Sequence, residues 1–187
     1  MALIKYKLGN LIELSEEKNS DNFFTIDNVK GASIRKVFIE TKANMTGVSL
    51  TPYLVVKPDY FAYVPVTSRN GNKITIAHND TEDTYIVSSS YIVFYVKEKD
   101  VLDSDFLFMY FNRPEFDRYS RFHSWGSARE VFSWNEMCSI ELDLPDIEIQ
   151  RKYVAVFKSL LCNNNSSESI GDICPILIKG AIEEGGR

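Results

Sequence analysis

The spacing of apolar and polar positions changes character near residue 97. Before it, short runs rich in β-branched and aromatic residues recur between turn residues, which is the pattern of half-buried strands. "YLVVK" (53–57), "FAYVPV" (61–66), "KITIA" (73–77) and "YIVSSSYIVFYVK" (85–97) are the clearest of them. Within "VTSRNGNKITI", Asn70-Gly71 supplies the two positive-φ positions of a type I′ turn and predicts a hairpin. Pro65 cannot donate to a ladder, so the run that contains it is expected at a sheet edge or a bulge.

After residue 97 the apolar spacing becomes helical. Asp103 or Ser104 can cap a helix through "DFLFMYFN", and "NRPEFDRYSRF" can start a second with Asn112 at the cap and Pro114 in its first turn. Arg118 and Arg121 then share a face. Ser133 and Glu136 form a capping-box pair for a short helix, followed by a strand "IELDL" that Pro145 stops, with Asp146 placed to cap the next element. In "IEIQRKYVAVFKSLL", Ile149, Tyr153, Val156 and Leu160 fall at helical spacing, and Ile147, Val154 and Leu161 repeat every seven. The resulting apolar stripe, with Ile147, Tyr153, Val154, Phe157, Leu160 and Leu161 as its interface set, must pack on something. "NNNSSES" (163–169) is a polar break. The last apolar patch, "GDICPILIKGAIEEGGR", is interrupted by Pro175 and Gly180, and leaves open a docked helical segment or a partner-binding strip.

A chain of 187 residues, 44% hydrophobic and 13% aromatic, supports one folded α+β domain with an appendage. The expected division is a strand-rich domain over 1–145 and a helix with a short tail over 146–187. No apolar run is long enough to cross a bilayer, and Lys5 and Lys7 interrupt the N-terminal apolar stretch, so a cytoplasmic chain without a membrane partner is expected. The net charge of −5 argues against indiscriminate coating of nucleic acid. Residues 1–130 carry 16 basic and 17 acidic side chains, against 5 and 9 in 131–187, so a local basic face in the first part remains compatible with the total.

Catalytic chemistry is hard to find. Three cysteines lack C-x-x-C spacing and only two histidines are present, which supports neither a disulfide framework nor a metal site. An Asn-Pro-Pro-aromatic motif, a phosphate loop and a dinucleotide fingerprint are absent. Glu16-Glu17-Lys18 matches part of a nuclease pattern, but both Pro-Asp pairs, 58–59 and 145–146, come after it. Ser127 in "WGSAR" lacks a nucleophile elbow, and the aromatic run "FLFMYF" on a helix reads as core. The chain is not expected to be an enzyme, and no cofactor of its own is expected.

The order of marks in "GSAREVFSWNEMCSIELDLPDIEIQRKY" resembles the close of a target recognition domain from the DNA-specificity subunit of type I restriction-modification systems. The matching positions are Gly126, Ser127 and Arg129 at the turn, Leu144 and Pro145 at the Leu-Pro step, and Gln150 early in the following helix. "YKLGNLIEL" (6–14) resembles the start of such a domain, and "VKPDYFAYVPVTSRNGNKITIAHND" with "YIVSSSYIVF" its strand-rich middle. The resemblance covers about residues 5–160. It implies a non-catalytic reader of one half of a split double-stranded DNA target, with the helix as spacer, docking or dimerisation element. It also implies a methyltransferase subunit that brings S-adenosylmethionine, with a restriction subunit as an optional further partner. A full subunit holds two recognition domains and two such helices, whereas here one of each is evident. Either two copies pair, or the chain is a fragment or a reservoir copy.

For DNA contact the first candidates are Ser68, Arg69, Asn70, Asn72 and Lys73, since Arg pairs with guanine, Asn with adenine and Lys with phosphate. Arg35, Lys36 and Lys42 are candidates for phosphate, as are Arg118 and Arg121 on their helix. Two other readings stand: a recognition domain cut from a single-chain restriction-methyltransferase, and a β-rich protein-interaction module without a DNA role.

Overall fold

The computed structural model describes residues 3–41, 43–68, 73–127, 129–163 and 170–186, with only the backbone described at 162, 163 and 170. The chain separates into two compact units that do not follow the 145/146 boundary. One comprises residues 1–12, 96–124 and 132–187, the other 13–95 and 125–131.

The second unit holds most of the strands. β2 (Ile12–Ser15), β6 (Phe61–Tyr63), β7 (Ile76–His78) and β9 (Ile92–Val96) form a sheet in the order β2-β9-β6-β7, while β3 (Lys30–Ala32) pairs with β4 (Phe38–Glu40), and β5 (Leu54–Val56) with β8 (Tyr85–Val87). Central strand β6 is fully buried, and Val56, Ala62, Val87 and Val93 form one core from four strands. Val29, Val55 and Ile86 form another on the opposite side of β5 and β8. The alternation of strand side chains produces both clusters, because Val55 and Val56 face opposite ways.

The run 85–97 divides into β8 and β9, which have different partners, at a turn where Tyr91 N–H donates to Ser88 O at 3.1 Å. The expectation for Pro65 is corrected. β6 is a central strand, and the proline lies beyond its end, after Val64 N–H donates to Thr75 O at 2.9 Å.

In the other unit β1 (Ile4–Lys7) pairs with β10 (Glu141–Leu144), alongside helices α1 (Ser104–Phe111), α2 (Pro114–Phe122), α3 (Trp134–Cys138), α4 (Ile147–Asn163) and α5 (Ile170–Gly185). Asp103 caps α1 by accepting from Phe106 N–H, and Ser133 caps α3 by accepting from Glu136 N–H. The α2 cap is corrected: Arg113 is the N-cap and Pro114 the first helical residue, while Asn112 closes α1 and donates its amide to Phe108 O at 2.9 Å. The aromatic run of α1 is core, with Phe106, Leu107, Met109 and Phe111 buried.

α5 is helical despite Pro175 and packs on α4, on α1 and on β10. Cys174, Ile178 and Ala181, one helical face, are buried. A Cβ at Gly180 would lie 3.0 Å from the Tyr153 ring, so the missing side chain is what admits the tyrosine. Tyr153 O–H and Lys152 Nζ both donate to Glu184, at 3.1 and 2.7 Å. The α4 stripe is corrected in one position. Gln150, Val154 and Phe157 are buried, whereas Val156 is 44% exposed, and Ile147, Tyr153, Leu160 and Leu161 are half-buried. No helix among the described residues is long and apolar enough to cross a membrane.

Candidate nucleic-acid interface and helix junction

Two loops meet in the strand-rich unit. The segment 64–75 leaves β6 and returns to β7, and its stem pairs with the Gly-Ser-x-Arg loop: Val66 bridges Val131, and Thr67 N–H donates to Glu130 O at 3.0 Å. That second loop is closed by Trp125 and Val131, whose N–H and C=O groups exchange bonds of 3.2 and 2.9 Å. Gly126 has φ +139°, and a Cβ there would fall 2.2 Å from Arg129 O, so only glycine fits. Ser127 and Arg129 are exposed at its tip, and Trp125 is 63% exposed beside them. Ser68 and Lys73 are exposed. Arg69, Asn70 and Asn72, the Asn70-Gly71 turn and Lys42 lie outside the described residues.

The β3–β4 hairpin presents a second candidate surface. Its turn is closed by Ser33 N–H donating to Val37 O at 3.0 Å and Lys36 N–H donating to Ser33 O at 2.9 Å. Arg35 is exposed at the tip beside Ile34, which is 52% exposed. Lys36 adopts φ +61° and its residue is buried, so it is withdrawn as a phosphate contact. The sequence signal missed here was the apolar tip itself: Ile34, Val37 and Ile39 are all exposed on a hairpin held by Ala32 N–H donating to Tyr91 Oη at 3.0 Å.

Several cations of the chain are already matched to carboxylates. Lys30 pairs with Glu40, Lys57 with Glu17 at 2.5 Å, and Arg118 with Glu115 at 3.2 Å on the exposed face of α2. The Lys57 ammonium is held above its ordinary range, chiefly by its hydrogen bond to Glu17. Arg121 is exposed on the same helix. Burial pushes the Cys138 thiol up, with Lys97 opposing, which works against a reactive thiolate. The described residues contain no group of three His, Cys, Asp or Glu side chains arranged to hold a metal ion.

The Leu-Pro step and the glutamine come together as a buried polar junction. Gln150 is fully buried and makes three bonds through its amide. Its Nε2 donates to Pro145 O and to Val101 O, each at 2.8 Å, and its Oε1 accepts from Asp103 N–H at 3.1 Å. One side chain thus ties the start of α4 to the end of β10 and to the residues that start α1. Leu144 and Pro145 are buried beside it. An amide suits this site because it both donates and accepts, and the carbonyls and N–H it meets would otherwise be buried without partners.

No family model matches the sequence, and no curated protein matches it. Solved structures do. The HsdS subunit from Thermoanaerobacter tengcongensis matches with a TM-score of 0.60 over 87% of this chain, at 17% sequence identity. This is the HsdS fold. The chain spans less than half of that subunit, since the match covers 43% of its length. A structure bearing on complex assembly and conformational transition of the type I R-M system matches over 100% of this chain and 46% of its own. Its TM-score of 0.47 and 10% identity add nothing to the fold assignment. An α+β chain that ends in helices agrees with the HsdS fold.

Proposed function

We propose that this chain is a non-catalytic DNA-specificity module with a single target recognition domain. In this reading it directs a type I restriction-modification methyltransferase, and a restriction subunit where one joins, to a split DNA target. The observation that supports it best is the HsdS fold over 87% of the chain, matched to only 43% of an HsdS subunit. In this reading one such recognition domain reads half of a bipartite site. The loops at 64–75 and 125–131 and the β3–β4 tip are the surfaces assigned to DNA, with Ser68, Lys73, Arg35 and Arg129 as described side chains there. Arg118 and Arg121 are secondary candidates for phosphate. The S-adenosylmethionine belongs to the methyltransferase partner.

Two copies reading one site would favour a palindromic split target. Because α4 already packs on α5, such pairing would use another surface or an exchange of α5 between copies.

The test combines the purified chain with a type I methyltransferase subunit from the same source and S-adenosylmethionine, followed by mapping of modified adenines on genomic DNA. Methylation confined to one split motif is the expected result. Failure of the two proteins to associate would remove the proposal, and association without any motif would leave an incomplete reader.

A further inference from the structure

We propose that the free edge of β10 and the groove beside it form a docking site for an extended peptide segment of a partner protein in which apolar residues alternate with basic ones. The inference lies wholly in the unit that carries the helices and does not rest on the DNA reading.

The direction of the strand's bonds follows from its ladder. Leu8 N–H donates to Ile140 O at 2.8 Å, and the antiparallel register continues with Tyr6 opposite Leu142 and Ile4 opposite Leu144. Bonded and non-bonded pairs alternate in such a ladder, so Leu142 and Leu144 bond to β1 while Glu141 and Asp143 turn their N–H and C=O groups away from it. Among the described residues β10 has no other strand neighbour. All four β10 residues line a groove of about 140 Å³ whose other wall includes Leu102, Phe106, Leu107, Tyr110, Ile178 and Ile182. That volume holds one side chain of leucine or phenylalanine size, since a cavity of ~150 Å³ accepts benzene.

Arg113 stands at the same groove with a donor to spare. Its Nε is buried without a hydrogen-bond partner among the described residues. The guanidinium lies 4.5 Å from the Tyr110 ring centroid, and Nε is 3.7 Å from a Glu115 oxygen. A carbonyl of an incoming backbone would satisfy that donor, and a segment that adds to a strand edge brings carbonyls there at every second residue.

Side-chain alternation then sets the partner's pattern. Leu142 and Leu144 are buried, while Glu141 and Asp143, which also line the groove, are exposed. Residues of an added strand that lie across from the leucines enter the groove, and those across from the carboxylates stand beside them. Lys5 reaches Glu141 at 3.5 Å, so the stronger selection for a basic residue falls on Asp143.

The experiment is an NMR titration of the full isotope-labelled chain with acetyl-Leu-Lys-Leu-Lys-amide and, separately, acetyl-Leu-Glu-Leu-Glu-amide at millimolar concentration. The lysine peptide should shift the Glu141 and Asp143 amides and the Ile178 and Ile182 methyls, and slow exchange of the two amide protons. The glutamate peptide should bind about tenfold more weakly, as two attractive cross-strand pairs become repulsive. Asp143→Lys, at an exposed position that spares the core, should narrow or reverse that preference. Absence of perturbation at β10, or equal response to both peptides in the wild-type chain, overturns the inference. Neither result bears on adenine mapping, so the two proposals fail independently.

Discussion

Replacing Gln150 by alanine removes the one side chain that satisfies Pro145 O, Val101 O and Asp103 N–H from a fully buried position. Three hydrogen bonds at about 1 kcal/mol each, with a small cavity left by the amide, give an expected loss of about 3 to 4 kcal/mol. Against a total stability of roughly 5 to 15 kcal/mol for a domain, that is a large fraction. Urea unfolding followed by far-ultraviolet circular dichroism should show the midpoint falling by more than about 1 M with little change in slope. Gln150→Glu adds a test with a sign. Its carboxylate would face two carbonyl oxygens in a buried site, so its folded pKa should rise above the unfolded value of about 4.3. A raised folded pKa means that the folded state binds more protons, so the variant should lose stability as pH rises from about 4 through the folded pKa, relative to the wild type. A Gln150→Ala loss below about 1 kcal/mol, or a Gln150→Glu chain whose deficit is independent of pH, would refute the three-bond junction.

Other positions give sharper local tests. Gly126→Ala should destabilise by at least about 2 kcal/mol, because the φ of +139° is unfavourable for a side chain and the added carbon meets Arg129 O; thermal unfolding reads it. Phe157→Ala should cost about 3 to 5 kcal/mol while Val156→Ala stays within about 0.5, since the first is buried and the second exposed on the same helix; denaturant midpoints of the pair identify the packed face of α4. Ser133→Ala should remove about 1 kcal/mol by leaving Glu136 N–H without its cap at the start of α3, measured in the same way.

The features legible in the amino-acid order are those whose causes lie within a few residues. Asp103 and Ser133 cap helices because a short acceptor reaches an N–H three residues on, and Pro114 starts α2 because its ring already holds a helical φ. The alternation in 53–63 and 85–97 showed strands for the same reason. Where a local signal had two uses, only the neighbours chose. Asn112 is suited both to capping α2 and to closing α1, and it closes α1.

The amino-acid sequence by itself determined the change from strand to helix spacing near residue 97, the caps at Asp103 and Ser133, and the end of the strand before Pro145. The tertiary structure alone decided which face of α4 is packed, that residues around Pro175 form a helix, that Lys36 is buried, and what Gln150 is for. The physical reason is distance along the chain. Gln150 meets acceptors and a donor up to 49 positions away, and Lys152 and Tyr153 meet Glu184 more than 30 positions on. A periodic stripe reports that a helix has an apolar side, but the element that covers it, and therefore which residues at its margin are buried, depends on contacts that close only when the chain has folded.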